Sequence, residues 1–195
     1  MELQKVKVKV KLLEPMLGTT AKDKEIYKSF IETKKPADVK EDEAENIEEI
    51  EERGWTGFLS DKNGLFVYDY FIKGFFKNAG NIMKNQLKIR NLKSKIIDTV
   101  YIFPRKVYLG QKEPDGVIER PIRCETQQGK RVSLARSDKV KEGTEFEFEV
   151  QWLKGTEITE KVIRELLLFG KLCGFVQFRT GGYGRFEVIA FGKGK

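Results

Sequence analysis

The chain has 195 residues, with 37 Lys+Arg, 30 Asp+Glu, two Cys and no His. Without histidine there is no Ser-His-Asp or Cys-His machinery, no imidazole base and no Cys₂His₂ zinc site, and two Cys fall short of a Cys₄ site. Catalysis would fall to carboxylates, Lys, Tyr or a bound Mg²⁺. A hydrophobic share of 39% is enough for a core, and no apolar run approaches the roughly 18 residues of a membrane span. Cys124 and Cys173 read as reduced thiols of a cytoplasmic protein.

The first element is a strand, Lys5 to Leu12. Val6, Val8, Val10 and Leu12 share one face, and Lys5, Lys7, Lys9 and Lys11 the other. Residues 14–67 follow as a long insertion. They hold a short helix near Lys22 to Ile31, a Lys34-Lys35-Pro36 break and an acidic helix. From Asp38 to Glu52 nine acids face one base, a net charge of −8, so the remainder of the +7 chain carries +15. Trp55 sits in a Gly-flanked loop, as an anchor or a stacking group.

A helix is predicted from Tyr70 to Met83, with Ile72, Phe75, Phe76, Ala79, Ile82 and Met83 at helical spacing. A strand from Thr99 to Leu109 is apolar nearly throughout and broken at Pro104. Residues 110–143 read as a projecting basic hairpin, Val117 to Thr126 against Arg131 to Ser137. It carries Arg120, Arg123, Lys130, Arg131, Arg136, Lys139 and Lys141. A second alternating strand runs from Glu145 to Trp152, with Phe146, Phe148, Val150 and Trp152 opposite Glu145, Glu147, Glu149 and Gln151. A helix from Thr159 to Cys173 takes Thr159 as its N-cap and Gly174 as its stop. The last strand is Gly184 to Phe191.

With both insertions removed the order is βαββαβ, an α+β ferredoxin-like arrangement in a single domain spanning residues 1–195. Its first and third strands lie side by side, which would set the Lys row beside the Glu row. Lys7 or Lys9 is therefore expected within reach of Glu147 or Glu149.

The most distinctive stretch is Gly170 to Val188, GKLCGFVQFRTGGYGRFEV. Gly181, Gly182 and Gly184 could bring backbone N–H groups close to a phosphate, and Arg179 and Arg185 could neutralise it. Phe178 and Tyr183 could stack on a base or sugar. It is neither a Walker loop nor a dinucleotide fingerprint, because it precedes a strand instead of opening a helix.

Three stretches in this order resemble the RAMP superfamily, the RNA-binding proteins of CRISPR effector complexes, and within it the backbone subunits that coat guide RNA. They are Leu166 to Val188, the segment DKNGLFVYDYFIKGFFKN with Lys73, Gly74 and Lys77, and KEGTEFEFEV from Lys141. The hairpin corresponds in place to that family's thumb, which projects between neighbouring subunits and displaces bases. The resemblance implies an RRM-like fold that binds single-stranded RNA, and self-association along the strand or membership of a ribonucleoprotein complex. Two departures stand out. Tyr68-Asp69-Tyr70-Phe71 replaces the usual small, serine-rich turn, and Trp55-Thr56-Gly57 stands where some members carry a cutting Asp.

The expected function is non-catalytic binding of nucleic acid, RNA in preference to DNA, in antiviral defence, with no cofactor, metal or membrane. Phosphate contacts are assigned to Lys73, Lys77, Arg105, Lys106, Arg179, Arg185 and the hairpin cations. A second reading is a stand-alone RAMP-like protein that docks on or inhibits a CRISPR-type ribonucleoprotein through protein contacts. A third is a metal-dependent nuclease using Asp61, Asp69 or Asp98, and a nucleotide-binding role for the Gly-rich turn also stays open.

Overall fold

The computed structural model describes residues 2–22, 55–126 and 129–192, with the backbone alone for 122–126 and 129–133. The expected acidic helix, the body of the helix expected before it and the hairpin's Gln127-Gln128 turn lie outside the described residues. The fold is α+β.

The central sheet has four antiparallel strands: β1 (Leu3–Leu12) at its middle beside β11 (Glu145–Leu153), with β12 (Phe186–Gly192) and β7 (Val100–Phe103) at the edges, in the order β12-β1-β11-β7. The alternation in the two middle strands decides which face is buried. Val6, Val8, Val10 and Leu12 lie beneath the helices with Phe146, Phe148, Val150 and Trp152, all at most 4% exposed. The buried Trp152 indole Nε1 donates to Gln4 Oε1 at 2.9 Å, so its one polar atom is satisfied.

On the opposite face Lys7 stands across from Glu149, Lys9 from Glu147 and Lys11 from Glu145. The ion pair that forms is the diagonal one, Lys9 Nζ to Glu145 at 2.7 Å. Its hydrogen bond raises the Lys9 pKa and lowers that of Glu145. The Lys and Glu rows thus meet as expected, with Lys9 bonded one register step away from the glutamates named in advance.

Helix α1 (Asp69–Met83) buries Ile72, Phe75, Phe76, Ala79, Gly80 and Met83. Ile82, expected on that face, is 55% exposed. A shorter helix unforeseen in the sequence, α2 (Leu92–Thr99), buries only Leu92 and Ile96. It closes on α1 at Gly80, where an added Cβ would stand 2.4 Å from Ile96 Cδ1. Helix α3 (Glu160–Leu168) begins as expected at Thr159, whose side chain accepts from the Val162 N–H. It ends earlier than expected and continues as a 3₁₀ turn, Phe169–Lys171. Between helices and sheet, the Phe175 and Phe186 rings stack at 4.0 Å, and Phe75 meets both edge-on at 5.2 and 5.0 Å.

The predicted strand across Pro104 is two strands in two sheets. Its second half, β8 (Lys106–Tyr108), joins β6 (Gly64–Tyr68) and β5 (Leu59–Asp61). Proline has no N–H to continue a ladder, so the chain changes sheet there. The hairpin strands are β9 (Gly116–Thr126) and β10 (Gly129–Val140), paired along their whole length. The base of β10 also pairs with β2 (Met16–Leu17) and β4 (Thr56–Gly57), and β4 with β3 (Thr20–Ala21). The hairpin base is therefore woven into the first insertion instead of standing alone.

The turn from α3 to β12 depends on backbone contact at Gly174, where a Cβ would lie 2.0 Å from the Tyr183 carbonyl oxygen. Backbone cannot move aside as a side chain can. A Gly174→Ala variant is expected to lose about 3 kcal/mol of stability. Urea titration should show a lower midpoint with an unchanged slope.

Candidate nucleic-acid interface

Helix α1 has a second face, opposite its buried stripe, with Gly74, Lys77, Asn78 and Asn81 at spacings of three and four residues. This face, α2 and the Gly-rich turn enclose a cleft of about 420 Å³ lined by Gly74, Lys77, Asn78, Asn81, Lys93, Ile97 and Arg179. Three cations and two amides line it, and no acid does. Arg179 arrives from the turn and lies over α1, with Nη1 3.5 Å from where a Gly74 Cβ would stand. Among the described residues Lys77, Lys93 and Arg179 have no ion-pair partner. Such a cleft concentrates positive potential where an anion can enter, and Asn81 can donate to it, while Asn78 Nδ2 donates to Cys173 Sγ at 3.3 Å. Lys77 and Arg179 were expected from the sequence. Lys93 was missed because α2 was missed.

Lys73, one residue before Gly74, does a different job. Its ammonium donates to the Ile97 carbonyl at 3.0 Å and to the Val100 carbonyl, closing the C-terminal end of α2. It also lies 5.2 Å from the centre of the Tyr101 ring. Burial first, and then the charge of Lys77, lowers its pKa.

The other predicted cations divide by their partners. Arg105 pairs with Asp69 at 2.8 Å and Lys106 with Asp61 at 2.6 Å. Arg136 Nε lies 2.9 Å from Glu119, and Arg185 Nη2 bonds Glu14 at 2.7 Å. The Asp69 that displaces the small-residue turn is thus screened by Arg105. Arg123, Lys130 and Arg131 belong to β9 and β10, and their side chains lie outside the described residues.

The glycines of the turn do not offer free N–H groups. Gly181 donates to the Phe178 carbonyl, Gly182 to Arg179 and Gly184 to Pro15, at 2.9, 3.2 and 2.8 Å. The expected phosphate cradle of backbone amides is committed internally, and side chains supply the positive charge instead.

The hairpin reaches this turn through Arg120. Its Nη2 donates to Ser137 Oγ at 2.9 Å, and its guanidinium lies 4.8 Å from the Phe178 ring and 5.8 Å from that of Tyr183. Desolvation lowers the Arg120 pKa. Thr56 and Ser137 both donate to Gln177 Oε1, at 3.2 and 3.3 Å, which ties the first insertion, the hairpin base and the turn together. Nearby, Trp55 Nε1 donates to the buried Asp138 at 2.9 Å, and Lys22 bonds the same carboxylate and covers the indole. Trp55 is an anchor.

The acids named for metal chemistry are dispersed. Asp61 accepts from Lys106, Tyr108 and the Asn63 N–H, and Asp69 is paired as above. Among the described residues no group of three or more His, Cys, Asp or Glu is placed to hold a metal ion, and no helix is long and apolar enough to cross a membrane.

No protein-family model matches the sequence, and no curated relative does. The fold has a solved counterpart. A chain in the cryo-EM structure of the Type III-B Cmr-beta bound to cognate target RNA superposes with a TM-score of 0.54 at 12% identity. The superposition covers 97% of this chain and 60% of that one. At this identity the likeness is one of fold alone.

The Lys106 and Tyr108 hydrogen bonds and the Asn63 N–H hold Asp61 ionised, with its pKa below the usual carboxylate value. A depressed acid stabilises the fold above its unfolded-state pKa, and that contribution is lost as pH falls through the folded one. Denaturation midpoints measured from pH 6 down to pH 2 should fall less steeply for Asp61→Asn than for the native chain.

Proposed function

We propose that the protein is a non-catalytic binder of single-stranded nucleic acid, RNA in preference to DNA. We place it in the cytoplasm as a RAMP-like component of a CRISPR-type ribonucleoprotein. The observation that carries this reading is the cleft in which, among the described residues, Lys77, Lys93 and Arg179 meet no acid. Support for the family comes from the order β12-β1-β11-β7, the one expected of a ferredoxin-like βαββαβ core. Support for RNA comes from the superposed chain, which belongs to an assembly bound to target RNA. Side-chain cations on a phosphate path give affinity without sequence readout. The hairpin, with Arg120 anchored on the turn, is the part suited to meet a neighbouring copy along the strand.

A second reading has its own observation. Leu168, Leu172 and Ile189 are exposed near a groove between α3 and β12, at an edge of the central sheet. A stand-alone protein that docks on or inhibits a ribonucleoprotein through protein contacts would use such an apolar edge.

Fluorescence anisotropy with a labelled single-stranded RNA decides between them. Binding should weaken steeply with salt. The Lys77→Ala, Lys93→Ala, Arg179→Ala triple variant should reduce the slope of log K against log salt by about 2, at roughly 0.7 per phosphate contact. No binding at low salt would overturn the first reading and leave the second.

A further inference from the structure

The Gly-rich turn holds features that phosphate binding does not require. Phe178 is 50% exposed although it is large and apolar. It and Val176 take positive φ, 50° and 66°. For a β-branched or bulky residue that conformation is costly and needs the surroundings to impose it. Gly181 makes room for the result, since a Cβ there would stand 2.3 Å from the Phe178 ring. Tyr183 lies beside the ring at 5.8 Å. Arg120 covers the ring at 4.8 Å, and its buried Nε–H has no hydrogen-bond partner among the described residues. Strained backbone, a glycine that leaves room for the ring and a cation over it fix the position of Phe178, which stays half exposed there.

We propose that Phe178, backed by Arg120 and flanked by Tyr183, is a stacking platform for one nucleobase of the bound strand. This rests on the reading of the adjacent cleft as a phosphate site. It adds a second kind of contact, one that needs a base. Every base has a π-face, so the platform tolerates any sequence yet rejects a strand without bases. A phosphate-only site would not distinguish the two.

The test compares a single-stranded RNA with an abasic oligonucleotide of equal length and charge, by anisotropy at fixed low salt. The native chain should prefer the RNA. Phe178→Leu keeps an apolar side chain but removes the ring. It should lower RNA affinity by about 5- to 100-fold, the range of one base–aromatic stack, leave the abasic strand unaffected and keep the salt slope. Phe178→Trp should restore the preference, which a merely structural role would not do. A 2-aminopurine base in the RNA should change emission on binding the native chain and not the Leu variant. If Phe178→Leu weakens both strands equally, or neither, the platform is overturned while the cleft stands. If the native chain binds neither strand, the phosphate reading fails with it.

Discussion

The pairing of β1 with β11 is the constraint on which the other elements depend. Its register is fixed twice, by two independent patterns. The apolar alternation of both strands selects one face for the core, and a slip of one residue would turn the Lys row of one strand under the helices. On the wet face the Lys and Glu rows lie opposite each other, so the charges agree with the register that burial selects. With this pair fixed, β12 and β7 complete the sheet, and the helices and the segment before β12 cover the apolar face. The turn between α3 and β12 is then brought against α1, which is why Arg179 meets Gly74, Lys77 and Asn78 although a hundred residues separate them in sequence.

The electrostatics of the molecule are more local than its net charge suggests. Outside the acidic segment the chain carries +15, yet Arg105, Lys106, Arg136 and Arg185 each face an acid, and Lys73 is spent on the end of α2. Surface pairs of this kind contribute little to stability. Their larger effect is to remove cations from the field available to a ligand. The cleft stands out because its three cations face no acid among the described residues, not because it is the most basic stretch of the sequence.

The two middle strands and the longer helices were legible because each has a strong period, whereas the short strands β2 to β6 were not. Lys5 to Leu12 and Glu145 to Trp152 alternate at period two, and α1 and α3 carry dense apolar stripes. Helix α2 was not legible, because only Leu92 and Ile96 are buried and a two-residue stripe barely rises above chance. Its loss took Lys93 with it. The Gly-rich turn joins α3 to β12, and its glycine N–H groups are bonded within the chain. Composition shows that a backbone could approach a phosphate, and only the fold shows that those N–H groups already bond Phe178, Arg179 and Pro15. Likewise, the basic hairpin was visible as a two-strand unit. Its attachment through Ser137 and Asp138 depends on contacts more than 80 residues apart, and that of Arg120 on the distant rings of Phe178 and Tyr183, which no local pattern carries.

The turn also joins the two candidate contacts into one surface. Phe178 and Arg179 are consecutive, so their Cα atoms are about 3.8 Å apart. Yet Phe178 lies beside the hairpin's Arg120, and Arg179 lies over α1. The positive φ of Phe178 helps to set the directions of the two neighbouring side chains here. A strand lying across the turn would meet a ring and a guanidinium within one nucleotide, a base on the hairpin side and a phosphate on the helix side. Gly174 and Gly184 bring the two sides of the same turn backbone to backbone, Gly174 against Tyr183 and Gly184 against Phe175. A change at Gly174 therefore acts on the backbone packing that closes this turn.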